Sequence, residues 1–443
     1  MMPVAALPFG ESENSDSARR VEVAILGAGL AGLTAANCLR GQDVEVLEAA
    51  TYVGGRTKSA RFGNSAWANF GAQYVTDDKV KVVELADEVG ATLVPAPFDE
   101  SGITDHLDGD LRKEVRLQIE RVDAEQARPR PPTAWELDDQ SFASWLGPCS
   151  DAAASFWDHW AGGMLCCSIT EVSLYGVLWW WGNQRTSPWS DQPVESSGRG
   201  ATVLAGGTNE LTIELAQRSG ARVSLRTQVD AVIPTGGEYV IRARCEGEAV
   251  TLRARHVICA LPAPVAASVC KELPGWKQQA LGSVRYGRFL ATPMLVAPVD
   301  RQVGPWRFSV SRPNQVYNAN DFRLRTPGDA EQSGVCYHSY VYDRFARQIW
   351  DDPDDSITSG AVRALLAEFP EYADRVEWVG IQRWKYGLPQ YSLGHMKRLD
   401  ALRAPVGSLR FCGDYCSPSN MEGAARNGER AAAEVKAEME VHS

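Results

Sequence analysis

The sequence has no apolar run as long as the roughly 20 residues needed to cross a bilayer. Its most apolar stretch, residues 172–181 (VSLYGVLWWW), is half that length and reads as a buried or pocket-lining helix. Positive charge is in the minority: 45 Lys and Arg stand against 56 Asp and Glu, a formal net charge of −11. That balance argues against nucleic acid or an anionic membrane surface as a general partner. No metal-ligand set takes shape, because Cys166 and Cys167 are adjacent and no histidine pair completes either them or Cys412 and Cys416 at zinc spacing. Nor does any Ser-His-Asp or two-carboxylate constellation stand out. No secretory signal precedes the 10 cysteines. Residues 1–20 are polar and read as a disordered leader, and the thiols as reduced in a cytoplasmic protein. A chain of 443 residues exceeds one ordinary core, so two domains are expected.

What the sequence does have is concentrated first in VEVAILGAGLAGLTAANCLRGQDVEVLE, residues 21–48. Residues 21–26 form a short, β-branched apolar run of the kind a buried parallel strand requires. Gly27, Gly29 and Gly32 follow as G-x-G-x-x-G. The first turns the chain tightly, the second lets backbone N–H groups approach a pyrophosphate, and the third lets the next helix pack close on the strand. A helix over 30–40 then points its positive end at that anion. A second strand over 43–47 ends at Glu48, where a dinucleotide site wants a carboxylate for a ribose hydroxyl and where a 2′-phosphate would meet a like charge. The bland alternative is a doubly wound domain with a glycine turn and no ligand.

Gly54-Gly55-Arg56 offers a second backbone approach and a guanidinium for a diphosphate or a flavin edge. Gly63-Asn64 reads as a hairpin turn. From residue 77 to about 197 the pattern is helical, with an amphipathic segment over 80–89 and a loop at Pro129, Pro131 and Pro132. Trp135, Trp145, Trp157, Trp160, Trp179, Trp180, Trp181 and Trp189 gather there, more than half of the chain's 14 tryptophans, and suit either an aromatic-lined cavity or packing. After Gly206-Gly207-Thr208 come a helix over 211–216, strands over 222–225 and 228–233, a hairpin of 239–245 with 249–254, and a separate buried strand over 256–260. Residues 334–342 alternate, placing Cys336, His338, Tyr340 and Tyr342 on one face. A helix over 357–369, a strand over 375–384, a loop through RWKYGLPQYSLGHM (383–396), a last strand over 409–412, a turn at Gly413-Asp414 and a long helix over 421–440 complete the chain.

In this order and spacing, Gly27 to Gly32, Glu48, Gly54-Gly55-Arg56, Asn69-Phe70-Gly71-Ala72-Gln73-Tyr74, Ala205-Gly206-Gly207, Val229, Phe411-Cys412-Gly413-Asp414 and Met421-Glu422-Gly423-Ala424 resemble the flavin-containing amine oxidase superfamily. That group spans monoamine, polyamine and L-amino-acid oxidases, protoporphyrinogen oxidase and carotenoid desaturases. The resemblance runs over nearly the whole chain from Val21. It implies an α/β plus α+β fold, with a Rossmann-like, p-hydroxybenzoate-hydroxylase-like FAD domain (21–76, 202–280 and 399–443) interleaved with a sheet-and-helix substrate domain (77–201 and 281–398). It also implies FAD and places the cofactor's contacts; the cysteine that tethers FAD in monoamine oxidases has no clear counterpart here, so non-covalent FAD is expected. Gly27, Ala28, Gly29, Leu30, Ala31 and Gly32 would hold the pyrophosphate, Glu48 the adenosine ribose, and Gly55 and Arg56 the phosphate or flavin side. Gly71, Ala72, Gln73 and Tyr74 would line the isoalloxazine, and the Val229 backbone would meet adenine. Gly413 and Asp414 would bind the ribityl or diphosphate portion, with Met421, Glu422 and Ala424 presenting a helix end to the flavin C2 carbonyl. Three departures stand out. The stretch 285–297 lacks the lysine usual near flavin N5, Asn420 replaces a tyrosine, and 384–395 is similar to the protoporphyrinogen oxidase branch.

The resemblance implies hydride transfer from the C–N carbon of an amine or amino acid to flavin N5, with O2 as acceptor, giving imine and hydrogen peroxide. The cofactor carries that chemistry, so the protein supplies orientation, desolvation and electrostatics. Tyr391 and Trp384 are the candidate pocket walls near the reacting carbon, against ordinary core packing. His395 is weighed for proton transfer against a structural role, and His338 and Tyr340 rank below it. Arg185, Arg325 and Arg344 are candidates for a substrate carboxylate, against surface ion pairs. Two other readings stay open: a flavin-dependent desaturase or dehydrogenase of a larger apolar or cyclic substrate, and a non-enzymatic FAD-binding protein. The expected partners are a small-molecule substrate, aromatic or apolar in one reading, and O2. Oligomeric state is open, a homodimer included.

Overall fold

The computed structural model describes residues 19–62, 66–96, 104, 107–128, 135–183, 198, 200–297, 307–308, 314–321, 335–417 and 420–442. The rest of the expected leader, the turn at Gly63-Asn64, the prolines 129, 131 and 132, Trp189, Arg185 and Arg325 lie outside the described residues, as does the side chain of Trp135.

The chain opens with β1 (Arg19–Leu26), α1 (Leu30–Cys38) and β2 (Val44–Leu47). The hairpin β3 (Ser59–Phe62) and β4 (Ala66–Asn69) leads to α2 (Val80–Val89) and β5 (Leu93–Pro95). Four helices follow: α3 (Gly109–Gln126), α4 (Phe142–Leu146), α5 (Asp151–Leu165) and α6 (Leu174–Asn183). Then β6 (Thr202–Leu204), α7 (Asn209–Ser219), β7 (Arg222–Ser224), β8 (Thr227–Thr235), β9 (Glu238–Cys245) and β10 (Glu248–Cys259) return to the first sheet. Next come α8 (Ala263–Val269), α9 (Gly275–Gly282), β11 (Tyr286–Val296), β12 (Arg307–Phe308), β13 (Asn314–Asp321) and β14 (Val335–Tyr342). The chain closes with α10 (Asp343–Gln348), α11 (Asp354–Glu368), β15 (Val376–Val379), β16 (Gln382–Pro389), α12 (Leu399–Arg403), β17 (Leu409–Phe411) and α13 (Met421–His442).

The first sheet runs β7-β2-β1-β10-β9-β8, with β17 also on β10, and its β7, β2, β1, β10 and β17 are parallel. Parallel strands covered on both faces are largely apolar, as residues 23–26 are and as residues 44–47 are except for Glu45, which is paired with Arg19. The second sheet runs β12-β13-β14-β11-β15, with β16 also on β11. On β14 the expected alternation holds: Cys336, Tyr340 and Tyr342 enter one apolar cluster, Val335 and Tyr337 another.

Several boundaries differ from expectation. β1 starts at Arg19 because Arg19 and Arg20 already pair with Leu252 and Arg253 of β10, and Arg19 forms an ion pair with buried Glu45. The hairpin arm and the buried strand expected separately over 249–254 and 256–260 are one strand, β10, antiparallel to β9 along its first part and parallel to β1 along its last. The single strand expected over 375–384 is two, broken opposite Pro293. There Gly380 N–H donates to the Pro293 carbonyl at 2.9 Å, and proline has no N–H to return. Much of the loop expected from 383 is β16, laddered to β11, with Pro389 at its end where the missing donor costs little.

α2, which the expected boundary at 77 assigns to the substrate domain, buries Val82, Val83, Leu85 and Ala86 in the same cluster as α1 and α13. Helix–helix burial decides its place, and the sequence pattern shows only that it has an apolar face. The tryptophans of α5 and α6 go into packing. Trp157 meets Trp160 edge-on at 5.7 Å, and both lie against Trp181 at 6.0 and 5.5 Å. Trp157, Trp160 and Trp181 fill a core, the packing alternative for these tryptophans.

Candidate functional site

The reversal between β1 and α1 is only Gly27-Ala28-Gly29 long. Gly27 takes φ +100°, and a Cβ there would sit 3.2 Å from the Ala260 carbonyl oxygen. At Gly32 a Cβ would fall 2.0 Å from the Gly27 oxygen, so α1 crosses β1 at a distance only glycine permits. At Gly29 a Cβ would meet nothing within 4 Å. That open cradle lies where the first N–H groups of α1, those of Leu30, Ala31 and Gly32, have no intrahelical acceptor. Glu48 follows β2, and its carboxylate accepts the N–H groups of Ala28 and Ala50, each at 2.8 Å. Two accepted bonds leave lone pairs for a ribose. The Glu48 carbonyl accepts Thr227 N–H at 2.7 Å at the start of β8, and Val229 on that strand packs in one cluster with Leu47.

Gly54 N–H donates to the Ala28 carbonyl at 2.7 Å, laying the second glycine pair against the first turn, with Gly55 facing Gly29. Arg56 then meets a partner from the far end of the chain. Its guanidinium forks onto both carboxylate oxygens of Asp414, one of the two bonds at 2.9 Å, and also donates to the Gly387 carbonyl at 3.0 Å. Both were expected as cofactor contacts, and the fold also pairs them with each other, because a carboxylate as buried as Asp414 needs a cation. Burial pulls the Arg56 pKa down, but the charge and hydrogen bonds of Asp414 outweigh it and hold the guanidinium above its ordinary value. Gly413, at φ +139°, makes the turn that aims Asp414 inward.

The segment after β4 runs tightly along this turn. A Cβ on Gly71 would lie 2.1 Å from the Arg56 carbonyl oxygen, which accepts Ala72 N–H at 2.9 Å. Gln73 is buried and Tyr74 half-buried beyond it. The second sheet clamps the segment from above: the Tyr340 hydroxyl donates to the Gly71 carbonyl at 2.7 Å, and the Trp384 indole N–H donates to the Phe70 carbonyl. Trp384 therefore ties this segment to the second sheet. Tyr340, ranked low from sequence, is its equal there.

The far end is α13. The Asn420 side chain accepts Gly423 N–H at 2.8 Å as the helix cap, leaving the Met421 and Glu422 N–H groups without intrahelical acceptors. The departure at Asn420 thus has a helix-capping role. The Glu422 carboxylate turns away to accept the Lys81 and Val82 N–H groups of α2 at 2.9 and 3.0 Å and Arg426 at 2.6 Å. Burial pushes its pKa up against those bonds. Ala424 is half-buried beside it, and a Cβ on Gly428 would fall 2.2 Å from the Ala31 carbonyl oxygen, so α13 crosses α1 closely.

The Tyr391 ring is fully buried between α6 and His395, 6.1 Å from Trp179. His395 is buried too, and desolvation together with the nearby Arg398 charge lowers its pKa to about 4. Its ring nitrogens have no hydrogen-bond partner among the described residues. His338 lies buried against Tyr340, with its pKa lowered by desolvation to about 3. Arg344 is taken by Asp158. One residue the sequence did not single out, Tyr286 at the start of β11, stands close to the Arg56–Asp414 pair, and burial followed by the Asp414 charge holds its phenol well up. No local signal could have found it, since only the β11–β16 ladder puts it there.

The open cradle at Gly29, the donors starting α1 and α13, and the spare acceptor capacity of Glu48 fit a dinucleotide flavin. No helix among the described residues is long and apolar enough to cross a membrane. The model of the flavin containing amine oxidoreductase family matches residues 30–436. Putrescine oxidase from Kocuria rosea is 27% identical over 476 residues, covering 95% of this chain and 96% of its own. L-amino acid dehydrogenase from Synechocystis is 23% identical over 474 residues, covering 92% and 93%. The solved structure of wild-type putrescine oxidase bound to putrescine superposes with a TM-score of 0.73 at 21% identity, over 95% of this chain and 100% of that one. Cyclohexylamine oxidase from Brevibacterium oxydans gives 0.74 at 19%, over 95% and 99%. A family model that spans most of the chain, together with the groove just described, makes this protein a member of the flavin-containing amine oxidoreductase family, an FAD-dependent oxidoreductase of amines.

Proposed function

We propose that the protein oxidises a small-molecule amine with non-covalently bound FAD and O2, releasing imine and hydrogen peroxide. When bound, FAD supplies hydride acceptance at N5 and reoxidation by O2. The observation that carries the reading is the convergence of two free helix N-termini, those of α1 and α13, on one groove closed by the Arg56–Asp414 pair. In it, Leu30, Ala31 and Gly32 donate to the pyrophosphate, Glu48 accepts from the adenosine ribose, and the Val229 backbone meets adenine. Gly71, Ala72, Gln73 and Tyr74 line the ring system under the clamp of Tyr340 and Trp384. Met421 and Glu422 donate backbone N–H groups to its pyrimidine end, where a helix dipole favours the negative charge that develops on reduction. Glu422 keeps its own charge out of that place by spending it on α2. The interleaved FAD-binding and substrate-binding units follow the two sheets, with α2 moved to the first.

The test is anaerobic mixing of the purified yellow protein with putrescine, cyclohexylamine and L-amino acids, followed by absorbance. Bleaching by at least one, with peroxide formed on admitting O2, is the expected result. A flavin that no amine bleaches would sink the reading, and flavin that stays with acid-precipitated protein would show covalent attachment.

A further inference from the structure

A cavity of about 170 Å³ opens on the flank of the second sheet, lined by Pro264, Tyr286, Arg288, Arg347, Lys385 and Tyr386. Three cationic side chains and no carboxylate border it, in a chain whose net charge is −11. Arg347 is already committed, its Nε and terminal nitrogen held by Asp343 at 3.1 and 3.0 Å. Arg288 and Lys385 form no ion pair among the described residues. Each is set over an aromatic face: the Arg288 guanidinium lies 4.7 Å from the Trp350 ring centre, and the Lys385 ammonium 5.4 Å from that of Tyr386. A stacked guanidinium keeps its edge donors free and oriented, the geometry that grips a carboxylate in two places. Tyr286 and Tyr386 meet edge to face at 5.5 Å and 78°, giving the cavity an apolar wall of fixed shape.

We propose that this cavity binds a small carboxylate-bearing molecule, its carboxylate on Arg288 and Lys385 and its planar apolar body against Tyr286 and Tyr386. The volume suits one ring with one acidic group, room for roughly five or six waters. Unpaired positive charge repels the protonated amine of the proposed reaction, so this is a second site with the opposite charge preference. The inference does not rest on the amine-oxidation reading, since its two charges, Arg288 and Lys385, are not among the groove residues, although the wall residue Tyr286 also stands close to the Arg56–Asp414 pair.

Titration calorimetry of the flavin-loaded protein with benzoate and its neutral counterpart benzyl alcohol tests it. Benzoate is expected to bind saturably and benzyl alcohol not to. Raising salt from about 50 to about 500 mM should weaken benzoate several-fold through screening. Arg288→Gln should weaken benzoate about ten-fold, as loss of a charge-assisted pair does, and Lys385→Gln about three-fold. Lys385 is exposed, so its variant keeps the fold, and flavin content checks both proteins. No saturable benzoate binding, equal affinity for the alcohol, or affinity unchanged in both variants would overturn the proposal. The last result would also place benzoate elsewhere, including the amine cavity.

Discussion

The two sheets hold their polar and bulky groups by different means. Around the first, charge is settled on backbone: Glu48 on two N–H groups near the glycine turn, Glu422 on two at the start of α2. Close approach there is bought with glycine at Gly32, Gly71 and Gly428. Around the second, rings do the holding, from the Trp157–Trp160–Trp181 group to Phe289 standing edge-on to Tyr340 at 4.6 Å. A groove for a cofactor needs free backbone donors and therefore bare backbone. The packing beside the second sheet needs rigid volume, which aromatic rings supply. The first region should tolerate no added atom, and the second should lose stability without losing the cofactor.

The largest effect should come from Gly32→Ala, whose methyl would press on the Gly27 carbonyl at 2.0 Å. It should cost about 3 kcal/mol or more and leave the protein nearly free of flavin, as read from melting and visible absorbance. Its counterpart is Gly162→Ala, where the methyl would meet the Tyr342 ring at 1.8 Å. A buried ring can shift a little, so about 1–3 kcal/mol of stability should go while flavin content stays. Equal flavin loss in both variants would break the contrast.

Arg56→Ala leaves the Asp414 carboxylate buried without its cation. The loss should be about 2–3 kcal/mol, below the fully buried case because the guanidinium is partly exposed. Arg56→Ala with Asp414→Asn should recover part of it in a double-mutant cycle.

Acid should act on the second region through His395. Its folded pKa of about 4 lies below the ordinary 6.5, so its neutral form carries stability that is whole above pH 6.5 and is lost as pH falls toward 4. At pH 4.5 that loss is about 2–3 kcal/mol. His395→Leu should narrow the gap in melting temperature between pH 7.5 and 4.5; an unchanged gap would assign the acid sensitivity to other groups. The smallest effect is expected from Trp384→Phe, which removes one hydrogen bond to Phe70 and about 1 kcal/mol. Since that bond joins the two regions, flavin should dissociate somewhat faster from the variant than from the parent protein.

The glycine turn, its strand and helix and Glu48 were legible because they lie within one short stretch whose spacing is itself the geometry. The Arg56–Asp414 pair was not, because its partners are 358 positions apart and each alone reads as a cofactor ligand. The surroundings of Tyr391 were hidden for a related reason: its stretch is rich in proline and glycine, and only the fold sets its side chain against Gly176. Likewise the run RWKYGLP has the composition of a loop, and it is a strand because β11 offers it a ladder.

The sequence by itself determined the cofactor groove, since backbone N–H groups and bare glycines act through local chain geometry. Tertiary structure alone decided which charges meet each other, that α2 packs with α1 and α13, and that Trp157, Trp160 and Trp181 pack on one another. Those outcomes depend on what distant segments bring within a few ångströms, and burial free energy, which has no direction along the chain, selects among them.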